Sequence, residues 1–182
     1  MALVSRRPQA HPFGVSPGFV RFYTAVVVVQ GVHVLEHVVQ LLQVYAFGVP
    51  DDDALGLLGY VFQFNGTEEY LHLAFNVSYF AALVVVLIGV GQRIRAGLLP
   101  SGAAMFAWLA VVLEGWHLVE HLVIMSHVIA NGGCPCPGIG DAALGVTDTQ
   151  LHFVYNVVAY AATLVPFRLV RTSPATPAVR LR

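Results

Sequence analysis

Gly31-Val32-His33-Val34-Leu35-Glu36-His37 and Gly115-Trp116-His117-Leu118-Val119-Glu120-His121 share one pattern, G-x-H-x-x-E-H. A second motif follows each of them. Leu71-His72-Leu73-Ala74-Phe75-Asn76-Val77 and Leu151-His152-Phe153-Val154-Tyr155-Asn156-Val157 both read L-H-x-x-x-N-V. A lesser echo sets Asp52, Ala54, Leu55 and Gly56 against Asp141, Ala143, Leu144 and Gly145. The motifs recur in the same order, so the chain reads as a tandem duplication of a two-helix unit.

Outward from each motif the sequence stays apolar for the length of a membrane span. Four such stretches run at about 19–47, 70–91, 102–130 and 151–170. A bilayer-crossing helix needs roughly 20 predominantly apolar residues. The whole chain of 182 residues is 57% hydrophobic and 10% charged, with a mean hydropathy of +0.73, whereas a soluble domain carries about 25% charged residues. That balance excludes disorder, a coiled coil and a nucleic-acid-binding surface, and it opposes a water-soluble monomer. The expected fold is an all-α integral membrane protein, a four-transmembrane-helix bundle in contact with the lipid bilayer. Its parts are an arm at 1–18, a first two-helix repeat at 19–91, a loop at 92–101, a second repeat at 102–171 and a tail at 172–182. Arg6 and Arg7 are followed by Pro8, Pro12 and Pro17, and the first apolar stretch is too long for the core of a cleavable signal peptide.

The charges orient the bundle. All nine basic residues are arginines. Arg6, Arg7 and Arg21 precede or open the first span, Arg93 and Arg95 lie in the middle connection, and Arg168, Arg171, Arg180 and Arg182 close the chain. Every one falls on the same side of a four-span topology. By the positive-inside rule both termini and the middle loop are expected to be cytoplasmic. The opposite side carries Asp51, Asp52, Asp53, Glu68, Glu69, Asp141 and Asp148. Units with an even number of spans share one orientation, which puts a pseudo-two-fold axis along the membrane normal.

The remaining acidic residues, Glu36, Glu114 and Glu120, fall inside apolar spans, as do most of the eight histidines. A carboxylate at mid-membrane costs roughly 2.5–3.5 kcal/mol on insertion scales, so such groups face a partner, a cavity or an ion. Positions i, i+3 and i+4 share a helix face. His33, Glu36 and His37 therefore form one stripe, extended by Gln30 and Gln40, and His117, Glu120 and His121 form another, extended by Glu114. His72 with Asn76 and His152 with Asn156 follow the same spacing. At a rise of 1.5 Å per residue these groups lie about 18–31 Å from the cytoplasmic helix ends, in the extracytoplasmic half of the membrane.

Imidazole and carboxylate are ligands for Fe, Cu, Mn and Zn. Helix bundles assemble metal centres from side chains on facing helices. The expected ligand sets are His33, His37 and His72 with Glu36, and His117, His121 and His152 with Glu120, with both glutamates also expected as catalytic bases. Asn76, Asn156, Gln30, Gln40 and Glu114 would support them. This composition suits a non-haem, dinuclear oxidoreductase or hydroxylase acting on a lipophilic small molecule. The chain holds no nucleotide or flavin motif, so electrons would come from a donor protein or a quinone. A b-type haem electron-transfer protein is the alternative, because haem can sit between histidines of two helices. A metal-dependent membrane hydrolase, a proton or metal transporter and a purely structural hydrogen-bonded core are further readings. H-x-x-E-H resembles the inverted zinc-peptidase motif, but here it occurs twice within membrane spans.

Smaller expectations attach to single residues. Gly31 and Gly115 lie about 200° round the helix from the following histidine, a position that lets another helix approach. Trp116 is placed to wall the site and Trp108 to pack against lipid or a neighbouring helix. Tyr79, Tyr155 and Tyr160 are expected as packing residues, and His127 as an interfacial histidine. Cys134-Pro135-Cys136 reads as an extracytoplasmic loop able to take copper or form a strained disulfide.

Overall fold

The computed structural model describes residues 13–62, 69–131 and 138–173. Cys134, Cys136, His11, Glu68, Arg6, Arg7, Arg180 and Arg182 lie outside the described residues. Six α-helices follow in order: α1 Pro17–Tyr45, α2 Gly56–Phe62, α3 Glu69–Arg95, α4 Gly102–Asn131, α5 Ile139–Leu144 and α6 Asp148–Thr172. Helices α1, α3, α4 and α6 are long and apolar enough to cross a membrane.

The helix ends explain where the sequence-based boundaries shift. Ser16 caps α1 by accepting a hydrogen bond from Phe19 N at 3.2 Å, with Pro17 as the first helical residue. This local chemistry starts the helix two residues before the apolar run. Thr147 and Gln150 form a reciprocal capping box at 3.3 Å, so α6 begins at Asp148 rather than Leu151. Helix α3 runs one turn past Gly91 to Arg95. Gly97 then turns the chain into α4 with a left-handed φ of 71°, a conformation glycine adopts without a Cβ penalty.

The four long helices form a ring in which α3 packs on α4, α4 on α6 and α6 on α1, each over a long seam. The seam between α1 and α3 is sparse by comparison. One end of the interior is mainly apolar, with Arg93 of α3 buried there 5.9 Å from the centroid of the Phe19 ring rather than lying in the connection. Phe19, Tyr23, Leu83, Val86, Val90 and a row of alanines (Ala103, Ala107, Ala110) are buried there. Small residues let helix backbones approach where dispersion, not water exclusion, must hold them together. The Gly31 and Gly115 expectation holds in this packing. A Cβ on Gly31 would stand 2.9 Å from the Tyr160 hydroxyl, and one on Gly115 would stand 3.2 Å from the Phe80 ring.

Outward-facing positions are apolar, as on Val28, Leu35, Ile88, Val112 and Trp108, while the interior of the other end is polar. His33, His37, His72, Asn76, Glu114, His117, Glu120, His121, His152 and Asn156 are all buried. This inside-out distribution, apolar rim around polar core, is the one a bilayer imposes. Beyond the polar layer, Ile124, Met125 and Val128 pack with Tyr70 and Leu73.

The two short helices are the main feature the sequence reading passed over. Their segments are turn-rich, and helices of 7 and 6 residues leave too little periodic signal to read. They also put the Asp-Ala-Leu-Gly echo out of register. Gly56, with φ 69°, opens α2, whereas Gly145, with φ 66°, closes α5.

Candidate metal centre

Six histidines from four helices meet in one layer. Within α1 and α3, ring centroids lie 4.7 Å apart for His33–His37, 5.7 Å for His33–His72 and 5.2 Å for His37–His72. Within α4 and α6 the matching distances are 4.8 Å for His117–His121, 5.0 Å for His117–His152 and 4.4 Å for His121–His152. The sets touch across the bundle through His72–His121 at 5.7 Å and His37–His152 at 6.3 Å. The convergence of His37, His72, His121 and His152 expected from their spacing is present.

The nitrogens face one another as well. His33 and His37 bring their Nε2 atoms to 3.3 Å, and His117 and His121 bring theirs to 3.1 Å. Two imidazole nitrogens bound at about 2.0–2.1 Å to one tetrahedral ion would stand about 3.3–3.4 Å apart. The i, i+4 pairs thus already hold ligand spacing. His117, His121 and His152 each offer a ring nitrogen within 4.8 Å of the other two. Nε2 of His72 and of His152 has no hydrogen-bond partner among the described residues.

Carboxyls stand near the opposite ring nitrogens of the α4/α6 set. His152 Nδ1 pairs with Asp148 at 2.9 Å, His121 Nδ1 faces Glu69 at 3.5 Å, and His117 Nδ1 faces Glu114 at 3.6 Å. The Asp148 carboxylate on His152 Nδ1 fixes the tautomer that leaves Nε2 of that ring as a lone-pair donor, and it raises ligand basicity. Nδ1 of His33, His37, His117 and His121 has no hydrogen-bond partner among the described residues. Gln30 stands on α1 where Glu114 stands on α4, and its amide donates to Asn156 Oδ1 at 2.7 Å. Asn156 in turn donates to the His152 carbonyl at 2.9 Å. Asn76, buried at the corresponding place on α3, has no hydrogen-bond partner for either side-chain polar atom among the described residues.

Glu36 and Glu120 have another occupation. Glu36 Oε1 accepts from Leu58 N at 2.6 Å and Gly59 N at 3.1 Å. Glu120 Oε2 accepts from Ile139 N at 2.6 Å, and its Oε1 accepts from Gly140 N at 2.8 Å. Each carboxyl therefore satisfies the free N–H groups in the first turn of a short helix, α2 or α5, where the helix dipole also favours an acidic group. The spacing argument put both glutamates among the ligands because i, i+3 and i+4 share a face. Their carboxyls instead reach the first turns of α2 and α5. Gly56 is forced by the same contact, since a Cβ there would overlap the Glu36 carboxyl.

This assigns the two glutamates a stability role with a measurable size. Glu36→Ala or Glu120→Ala leaves two backbone N–H groups without their acceptor, at about 1–3 kcal/mol for each buried one. Thermal unfolding in detergent should shift to lower temperature for both variants, while metal per protein in the folded fraction stays at the wild-type level.

Other residues fall around the layer. Trp116 is exposed, and the ring beside the layer is Tyr155: Trp116 Nε1 donates to the Tyr155 hydroxyl at 2.8 Å, and the Tyr155 ring lies 5.3 Å from His117. Phe75 stacks on His33 at 4.6 Å with an interplanar angle of 10°. Gln40 is buried on α1. Outside the spans, burial and the neighbouring Asp148 push the Asp141 carboxyl up to about 6.

Glu69 and Asp148 are the site residues that the sequence reading left among the loop charges. Asp148 had a local signal, since it precedes His152 by one helical turn. Glu69 had none, because it serves a histidine on another helix.

No family model, curated protein or solved structure matches the chain. The site is therefore read from its own chemistry.

Proposed function

We propose that this chain is a multi-pass membrane metalloprotein whose six-histidine layer holds one or two divalent transition-metal ions, Fe, Cu, Mn or Zn. The observation that carries this reading is the orientation of the α4/α6 histidines: carboxyls stand on the Nδ1 side while Nε2 atoms face inward at ligand spacing. A structural core would rest on the same His33–His37 and His117–His121 Nε2 contacts, which also stand at hydrogen-bond distance, while interhelical hydrogen bonds average only about 0.6 kcal/mol in a membrane. The ring-to-ring packing also favours a small ion over haem b, whose macrocycle needs a flat slot between its axial ligands.

The proposed activity is oxidoreductase chemistry on a lipophilic substrate. In its hydroxylase form one atom of O2 enters a C–H bond and the other leaves as water. Two electrons from a quinol or a donor protein and two protons complete the balance. A bound redox metal would supply the electron-transfer chemistry. The residues hold it, orient it through Asp148, Glu69 and Glu114, and exclude bulk water by burial. Reduction of the purified protein followed by exposure to air tests this part. A metal signal that bleaches and returns supports it, and a redox-silent ion overturns it while leaving the ion site standing.

The bundle is proposed to be a tandem duplication of α1–α3 and α4–α6 with both termini cytoplasmic and the histidine layer in the extracytoplasmic half. The pairwise match of the two histidine sets and of Tyr160 on Gly31 with Phe80 on Gly115 supports the duplication. The native cysteines test the orientation. Cys134 and Cys136 should react with a membrane-impermeant maleimide added outside right-side-out vesicles, and labelling only from the cytoplasmic face would reverse the topology.

A further inference from the structure

Of the four seams in the ring, that between α1 and α3 is left partly open. An apolar cleft of ≈ 200 Å³ lies in it, lined by Phe22, Ala25 and Val29 of α1 and by Phe75, Ser78 and Ala82 of α3, among others. Val29 and Ser78 are exposed on the outer surface of the bundle, so the cleft opens sideways, toward the place lipid occupies around a membrane protein. Its other limit is Phe75, the ring stacked on His33. The corresponding seam between α4 and α6 is tightly packed.

We propose that this cleft binds the hydrocarbon chain of a membrane lipophile, a single acyl or prenyl tail, and brings its reactive end to the His33 side of the metal centre. This assignment rests on the metal reading and adds the substrate class and its route. Three observations point the same way. Apolar walls with small residues at Ala25, Ser78 and Ala82 suit a flexible chain, and the volume exceeds the ~150 Å³ apolar cavity that takes up benzene. The opening faces the bilayer, so a lipophile enters without crossing water. The histidine at its inner end, His33, stacks on the Phe75 ring that lines the cleft.

The test uses the full-length protein in phosphatidylcholine nanodiscs with a diazirine-bearing palmitic acid as photoprobe. Cross-links on the peptides carrying Val29, Phe75 and Ser78 are compared with those on the outer face of α4 at Val112. Labelling in the cleft should exceed that at Val112 several-fold. Excess unlabelled palmitate should remove the cleft labelling and leave Val112 labelling unchanged, a comparison that needs no variant. Ala25→Phe with Ala82→Phe should reduce cleft labelling to the Val112 level with metal content unaltered. Equal labelling at both faces, or no competition by palmitate, means bulk lipid alone and overturns the proposal. Metal content on the same samples separates the two readings, because cleft labelling without metal overturns the ion site and leaves the cleft.

Discussion

His121→Ala should abolish stoichiometric metal retention while the protein still inserts and purifies. His121 is the hub of the layer. Its Nε2 lies 3.1 Å from that of His117, its ring is 4.4 Å from His152, and it also meets His72. Removing it takes one of three ligands from the set that carboxyls support, and a divalent ion left on two imidazoles loses affinity beyond the ~10–100-fold that a supporting partner is worth. His152→Ala should behave alike. His33→Ala should have a milder effect, lowering only the second equivalent of metal, because among the described residues no carboxyl pairs with Nδ1 of His33 or His37. Metal per protein, measured after gel filtration, separates these cases. Equal loss in His33→Ala and His121→Ala would remove the distinction between the two sets.

The second large effect concerns a residue that touches no ion. Asp148→Asn should weaken metal affinity about 10–100-fold, the range known for such partners, without changing the ligand set. Its carboxyl sits 2.9 Å from His152 Nδ1. Asparagine preserves the volume but can present its amide N–H to the ring, which favours the tautomer with the proton on Nε2 and blocks the metal-facing lone pair. Glu114→Gln should act in the same direction by a smaller factor, since its contact to His117 is longer, at 3.6 Å. Gln30→Ala should act weakly in the same direction, since its amide holds Asn156, whose side chain bonds to the His152 carbonyl. Competition with a chromophoric chelator reads all three.

The spans and the histidine layer were legible because both depend on local regularities. Hydropathy over about 20 residues finds helices that cross a bilayer, and a four-residue spacing brings His33 under His37 and His117 under His121 whatever the rest of the fold does. Gly31 and Gly115 were legible on the same geometry. What the spacing could not supply was the direction of a long side chain. Glu36 and Glu120 share the histidine face in register, yet their carboxyls extend to α2 and α5, helices too short to leave a periodic trace. Glu69 was beyond reach for a related reason, since its partner His121 is on a different helix. Asp148 was in plain view, one turn before His152, but the count of charges by membrane side placed it with the loop. The Asp-Ala-Leu-Gly echo misled through composition: peptides that cap equivalent glutamates, Leu58-Gly59 and Ile139-Gly140, are not the peptides that look alike.

The claim that this layer is a non-haem metal centre rests most directly on the elemental content of the pure protein, read together with its absorption spectrum. The account predicts one to two equivalents of iron, copper, manganese or zinc per chain, no Soret band, and loss of the metal in His121→Ala. A Soret band, or a folded protein that binds none of these ions when they are supplied, would contradict it.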